Sequence, residues 1–308
     1  MLVAIYSVFV FIFLGYFAKV MRMLGNRQGN ILLGFLLNFS LPAAIFNGVY
    51  HSEITLSLMR TFLGAFSCSL IGGVLIFLIS FYLCKYQKSL AVTMAFLVML
   101  HNTLFLGVPI VGGALGEDVA HKAILFDQFC TSIPLAILTP LLMSFSGKGA
   151  FTIQAVSMRL FRNPLFLAMI TGFVLKSLPF RIPDELFAPI KALAICATPV
   201  ALFAIGVQLS FADVKLEWKN SLFVLAFGMG VVPVLYLSSL LILAHGFGKI
   251  IDIDSQMVLI EIAMPPLISS TAIILRAGLN HKLAISTIVI GIFLCGVTTP
   301  LWMALSRL

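Results

Sequence analysis

The sequence predicts an all-α integral membrane protein. Its ten transmembrane helices form two inverted five-helix repeats, and helices four and nine are broken. Three observations predict this fold. The 308 residues are 61% apolar and only 10% charged, with a mean hydropathy of +1.14, whereas soluble globular chains run to about 45–50% apolar and about 25% charged. The apolar residues gather into ten stretches, each of a length that crosses a bilayer. Short motifs in the first half return in the second half at a nearly constant offset of 157 residues.

The ten stretches are 2–21, 29–50, 61–84, 90–115, 121–145, 163–179, 188–210, 220–245, 255–279 and 282–305, here numbered segments one to ten. A hydrocarbon core of about 30 Å is crossed by about 20 helical residues at 1.5 Å each. Connections between the stretches are short, which leaves no room for a soluble catalytic or nucleic-acid-binding domain. In lipid every backbone group must bond internally, which admits helices or a closed barrel. The stretches are too long and too evenly apolar for the alternating strands of a barrel.

The net charge of +8 is read through its placement. One side of the predicted bundle receives twelve basic residues: Lys19, Arg22, Arg27, Lys85, Lys88, Lys148, Arg159, Arg162, Lys215, Lys219, Arg276 and Lys282. The other side receives seven: Arg60, Lys122, Lys176, Arg181, Lys191, Lys249 and Arg307. The positive-inside bias assigns the richer side to the cytoplasm, so both termini are expected outside. Segment one has no basic start and no Ala-x-Ala-like cleavage site, and is expected to be retained. Cys68, Cys84, Cys130, Cys196 and Cys295 stand singly in or beside spans. Without a CxxC or Cys/His spacing, no metal or disulfide chemistry is expected.

The internal repeat carries most of the functional information. Gly15-Tyr16-Phe17-Ala18-Lys19 in segment one matches Gly172-Phe173-Val174-Leu175-Lys176 in segment six. Pro42-Ala43-Ala44-Ile45-Phe46 matches Pro199-Val200-Ala201-Leu202-Phe203, and Pro109 matches Pro266, all at 157 residues. Thr139-Pro140-Leu141-Leu142-Met143 matches Thr299-Pro300-Leu301-Trp302-Met303 at 160. The halves, 1–150 and 151–308, each hold an odd number of spans, so the second enters the membrane from the opposite side. Inverted repeats are the usual construction of secondary transporters, with the substrate near the midplane at the repeat interface.

Segments four and nine carry the predicted breaks. Segment four runs His101-Asn102-Thr103-Leu104-Phe105-Leu106-Gly107-Val108-Pro109, where Pro109 removes a donor and Gly107 permits unwinding. Segment nine contains Glu261 and then Met264-Pro265-Pro266 followed by Ser269, Ser270 and Thr271. Where such breaks meet, helix N-termini are expected to present free N–H groups to a carboxylate. Asn102, Thr103, Gly107, Pro109, Pro265, Pro266, Ser269 and Ser270 are therefore the candidate substrate-binding residues. Asn38, before Pro42, either satisfies a proline-broken turn or joins them in lining the cavity.

Ionisable groups inside spans are costly and carry a functional reading by default. Asp127 in segment five, with Gln128 beside it, and Glu261 in segment nine are candidates to carry a coupling proton or help bind a sodium ion. The competing reading is a pair of interfacial acids snorkelling to water. His101 either relays protons or bonds a neighbouring backbone carbonyl. Arg276 is read as a cytoplasmic anchor, with a second use at an inner gate if the substrate is anionic.

These motifs, in order along nearly the whole chain, resemble the auxin efflux carrier family, in particular bacterial members of malate/malonate-permease type. The resemblance lies in Asn38-x-x-Leu41-Pro42-x-x-x-Phe46, Asn102-Thr103-x-Phe105-Leu106-Gly107-Val108-Pro109 and Asn163-Pro164. It continues in Pro199-x-x-Leu202-Phe203-x-x-Gly206-x-x-Leu209, Met264-Pro265 and Thr299-Pro300. It implies a fold similar to bile-acid/sodium symporters, in which the broken segments four and nine would cross at their prolines. Segments one, two, six and seven would form a scaffold, and segments three to five and eight to ten a mobile transport domain. It also implies anion binding by Asn102 and the backbone near Pro109 and Pro266. Leu104 stands where the family motif commonly has glycine, which bears on cavity shape.

The expected function is a plasma-membrane secondary transporter of a small organic anion such as a dicarboxylate, not an enzyme. No cofactor is expected beyond a coupling H+ or Na+, and the expected partners are the anion, the bilayer and, in a homodimer, a second copy, with no nucleic acid. The alternative function is a membrane sensor or scaffold that keeps the fold without turnover.

Overall fold

The computed structural model describes residues 2–179, 183–209, 211, 214–247 and 251–307. Arg181 and Lys249, two of the charges assigned above to the outer side, lie outside the described residues. Among the described residues the secondary structure is helical, with one isolated β-bridge between His101 and Pro266. Helix underlies each of the ten apolar stretches, but only some are long and continuous. Among the described residues six helices are long and apolar enough to cross a membrane: Asn26–His51, Leu56–Leu83, Glu117–Phe145, Glu185–Gln208, Leu216–Ile242 and His281–Leu305. A seventh is made by Ile153–Phe161 and Pro164–Lys176 if this pair, bent by 72°, is one span. Ile5–Val20, Lys88–Met99 and Thr103–Leu115 are apolar but shorter.

Proline placement explains where the helices stay whole. Of the five π-helical turns among the described residues, Leu36–Ser40, Thr103–Gly107, Gln128–Ser132 and Ala226–Val231 each end two residues before a proline, Pro42, Pro109, Pro134 and Pro233, and Ile79–Leu83 precedes none. A proline ring inside an α-helix collides with the carbonyl four residues back and cannot donate to it. One wider turn shifts that carbonyl aside and lets the helix continue. The expected break at Gly107–Pro109 is therefore corrected. Gly107 closes a π turn, and Pro109 is the second residue of the intact helix Val108–Leu115. The break in segment four lies earlier, at Leu100, His101 and Asn102, with Leu100 extended at φ −124° and ψ 111°. Segment nine breaks at its prolines, between Ile253–Ile262 and Ser270–Ala277.

The chain divides into two compact units. The first contains 1–53, 104–132 and 153–209. Its helices Leu2–Val20 and Ala188–Gln208 pack at backbone contact. A Cβ on Gly15 would land on the Phe203 carbonyl, and one on Gly206 would land on the Ile12 carbonyl, so only glycine fits at either place. Such small residues let helices approach where lipid supplies no hydrophobic drive. Gly172 takes the corresponding place beside Phe46, where a Cβ would be 3.3 Å from its carbonyl oxygen. Two lysines close helix ends. Lys19 Nζ donates to the Leu209 carbonyl at 2.7 Å, and Lys176 Nζ donates to the Ser52 carbonyl. The same 157 residues separate Lys19 from Lys176, Gly15 from Gly172, Phe46 from Phe203 and Ser52 from Leu209.

The second unit contains 54–103, 133–152 and 210–308. Helices Val214–Leu225 and His281–Leu305 share a buried hydroxyl cluster. Ser221 Oγ donates to Ser286 Oγ at 2.8 Å, and Thr287 Oγ1 donates to Ser221 Oγ at 3.2 Å. Pro233 has no N–H for the Met229 carbonyl four residues before it, and Trp302 Nε1 donates to that oxygen at 2.9 Å. The indole thus supplies a bond that the proline withholds.

Trp302→Phe keeps the apolar ring and removes only the donor. It should cost about 1–3 kcal/mol, the penalty of a buried carbonyl left unbonded, seen as a lower unfolding midpoint of the detergent-solubilised protein. An unchanged midpoint would contradict this role for the indole. Gly15→Val, which pushes a branched side chain into the Phe203 carbonyl, should lower the midpoint further and reduce the folded yield; full wild-type yield and stability would argue against backbone contact there.

Candidate functional site

In the second unit the two helix breaks are tied to each other by the backbone. Asn102 N–H donates to the Pro265 carbonyl at 2.8 Å, and Leu267 N–H donates to the Leu100 carbonyl at 3.0 Å. His101 faces Pro266 between these bonds as an antiparallel pair. Pro265 and Pro266 bring carbonyls but no donors to the break, so the partner strand and one side chain complete the bonding. His101 Nδ1 lies 3.3 Å from the Met264 carbonyl, and its Nε2 lies 3.1 Å from Ser69 Oγ. A carbonyl only accepts, so Nδ1 carries the proton and Nε2 accepts from the serine. The buried ring is bonded at both nitrogens in its neutral form.

Asn102 is the odd residue in this arrangement. It is fully buried, and neither its Oδ1 nor its Nδ2 has a hydrogen-bond partner among the described residues. Buried polar side chains are nearly always bonded, and each such group left alone costs about 1–3 kcal/mol. Thr103 beside it and Glu261, on the last turn of Ile253–Ile262, are also fully buried. Pro265 comes close to the helix His281–Leu305 because position 291 is glycine. A Cβ there would stand 2.5 Å from Pro265 Cβ and 2.9 Å from Leu225 Cδ2.

In the helix that follows the second break, the first two N–H groups are already bonded. Ser270 and Thr271 N–H donate to the Leu267 and Ile268 carbonyls at 3.1 and 3.2 Å. The chain enters Ser270–Ala277 through tight turns that use up these donors. Ser270 is buried with its hydroxyl on the Leu267 carbonyl at 2.6 Å, and Ser269 is exposed.

In the first unit Asp127 and Gln128 are buried at the start of a π turn. Gln128 Nε2 and Ser132 Oγ donate to Asp127 Oδ2 at 2.9 and 3.0 Å, while Gln128 Oε1 has no partner among the described residues. The π turn sets these three polar residues together before Pro134. Gly107 is buried, and Pro109 lines a cavity of about 460 Å³ with Thr198. Asn38 is exposed, and its Nδ2 donates to the Gly34 carbonyl at 2.8 Å. The structure thus brings together Asn102, Pro265 and Pro266 in one unit, with Thr103 next in the chain, and Asp127 and Gln128 in the other.

A second cavity of the first unit, about 510 Å³, gathers residues that the sequence reading passed over. Asn47, His51, Glu117, Asp118, His121 and Lys191 line it above an apolar floor that includes Leu104 and Phe105. In the sequence these residues sit near the ends of three separate segments, and no spacing marks them as neighbours. Ser69, the partner of His101, was equally silent, since serine is common in apolar helices.

Comparison with known proteins agrees with the motifs. The family model described as "Membrane transport protein" matches residues 1–303. An "Uncharacterized transporter" of Methanothermobacter thermautotrophicus is 24% identical over 96% of this chain and 95% of its own. An uncharacterized transporter of Escherichia coli strain K12 is 24% identical over 98% of this chain and 96% of its own. A protein of Rhizobium meliloti named "Putative malonate transporter" is 28% identical over 67% of this chain and 66% of its own. With a match over nearly every residue, the chain belongs to the membrane transport protein family, the auxin efflux carrier family that its motifs resemble.

Proposed function

We propose that this chain is a secondary transporter of a small organic anion, such as a dicarboxylate, working by alternating access. The observation that carries the reading is Asn102. Its buried amide has no partner among the described residues and stands where two helix breaks are joined through Asn102 N–H and the Pro265 carbonyl. An amide nitrogen donates to a carboxylate, and rigid backbone holds it in place without reorganisation on binding. In this reading Thr103, Pro265, Pro266 and Ser270 shape the site, with Ser269 at its edge. A relative named for malonate transport supports a dicarboxylate as substrate.

The reading includes ten spans in two inverted five-helix repeats, 1–150 and 151–308. The paired lysine and glycine contacts at a common offset of 157 residues support it, because each half makes the same contact with the other half's helix. Segments one, two, six and seven serve as scaffold, and the others form the moving part. Both termini face outward at the plasma membrane. Asp127, held by Gln128 and Ser132, and Glu261 are the groups assigned to coupling H+ or Na+.

Purified protein in proteoliposomes loaded with labelled malonate tests the reading. Wild-type protein should exchange malonate, and Asn102→Ala should lower the rate at least tenfold while leaving the unfolding midpoint within a degree or two. Equal rates would sink the site assignment. Ligand stabilisation with no flux in the wild type would favour a sensor instead. Asp127→Asn should abolish accumulation driven by a pH or sodium gradient yet keep exchange at equal concentrations. Gradient-driven accumulation by that variant would remove Asp127 from the coupling role.

A further inference from the structure

The cavity of about 510 Å³ in the first unit is lined by charged residues of both signs. Lys191 lines it from the helix Ala188–Gln208, and Glu117 and Asp118 line it from the first turn of Glu117–Asp127. His51 and His121 lie between the helices with ring centroids 6.4 Å apart. His51 Nδ1 donates to the Asn47 carbonyl at 2.8 Å. Asn47 itself is buried, at 8% exposure, and its side-chain Oδ1 has no partner among the described residues.

We infer that this cavity binds a small zwitterion, a molecule with an ammonium at one end, a carboxylate at the other and an apolar body between. The ammonium meets Asn47 Oδ1 and the carboxylates of Glu117 and Asp118. The carboxylate meets Lys191. Leu104, Phe105 and Ile124 receive the body. A simple anion would gain the lysine but face two carboxylates, and a simple cation would gain the acids but leave the lysine unanswered. The size suits such a ligand, since small-molecule sites span about 300–1,000 Å³. A metal ion is a poor occupant, because no group of three His, Cys, Asp or Glu side chains is arranged to hold one among the described residues. The site does not depend on Asn102 or on the transport reading, since all of its lining residues belong to the first unit.

The test uses the full chain in detergent, with binding followed by calorimetry and by the shift in unfolding midpoint. The zwitterion probes are leucine and 5-aminopentanoate; pentanoate and pentylamine each carry one of the two charges. At least one zwitterion should bind tenfold more tightly than either singly charged probe. Lys191→Met should weaken the zwitterion at least tenfold and leave pentylamine unchanged. The double substitution Glu117→Gln with Asp118→Asn should weaken the zwitterion similarly and leave pentanoate no weaker. Asn102→Ala should bind the zwitterion as wild type does, even if its transport is lost. The inference is overturned if neither zwitterion binds, if a singly charged probe binds as well, or if Asn102→Ala abolishes binding while Lys191→Met does not.

Discussion

Backbone hydrogen bonding in an apolar solvent is the constraint on which the rest of this structure depends. A helix satisfies its own peptide groups, so every departure from helix inside the bilayer must find partners elsewhere. The two breaks of the second unit meet this demand by bonding to each other, through Asn102 with Pro265 and Leu267 with Leu100. His101 and Ser69 extend the same bonding to the Met264 carbonyl. Four prolines elsewhere, Pro42, Pro109, Pro134 and Pro233, each follow a π turn, and the carbonyl that Pro233 leaves without its donor is taken by Trp302. The polar residues of this chain are few because lipid tolerates few, and many of them are engaged in repairing the backbone.

That economy gives Asn102 its meaning. Asn38 bonds the Gly34 carbonyl, Ser270 the Leu267 carbonyl and Thr139 the Leu135 carbonyl, so each has an internal use. The Asn102 backbone belongs to the bridge, but its side chain is buried without a bond among the described residues. Asn47 Oδ1 and Gln128 Oε1 are also buried without a bond among the described residues, but Asn102 is the residue with both amide atoms so placed, and in the reading proposed above it is left for a ligand. Pre-organisation follows from the bridge, which fixes the residue's backbone at both breaks before anything binds. Gly291 contributes from behind by letting Pro265 sit close against its helix.

Much of this was legible in the sequence, and the reasons for the rest are physical. Apolar length marked the ten helical stretches, because lipid imposes one requirement on all of them. The Met264-Pro265-Pro266 break was readable because two adjacent prolines cannot both sit in an α-helix. Pro109 misled for an instructive reason. A single proline can be accommodated by one π turn, and no residue pattern distinguishes that outcome from a break, so the true break at Leu100–Asn102 shows only in three dimensions. Asn102 stood out as an amide within an apolar run. Asn47, His51, His121 and Lys191 did not, since polar residues near segment ends are ordinary and only folding brings three such ends to one cavity. The family was readable from motif order, and the family model matches residues 1–303.

Hydrogen–deuterium exchange of the wild-type protein, with and without malonate, tests the central claim most directly. The account predicts that the Asn102 and Leu267 amides exchange slowly without ligand, despite lying outside regular helix, because each donates to a buried carbonyl. It further predicts that malonate increases protection around residues 100–107 and 263–270 above other segments. Rapid exchange at Asn102 and Leu267 in the free protein, or ligand protection confined to other segments, would contradict it.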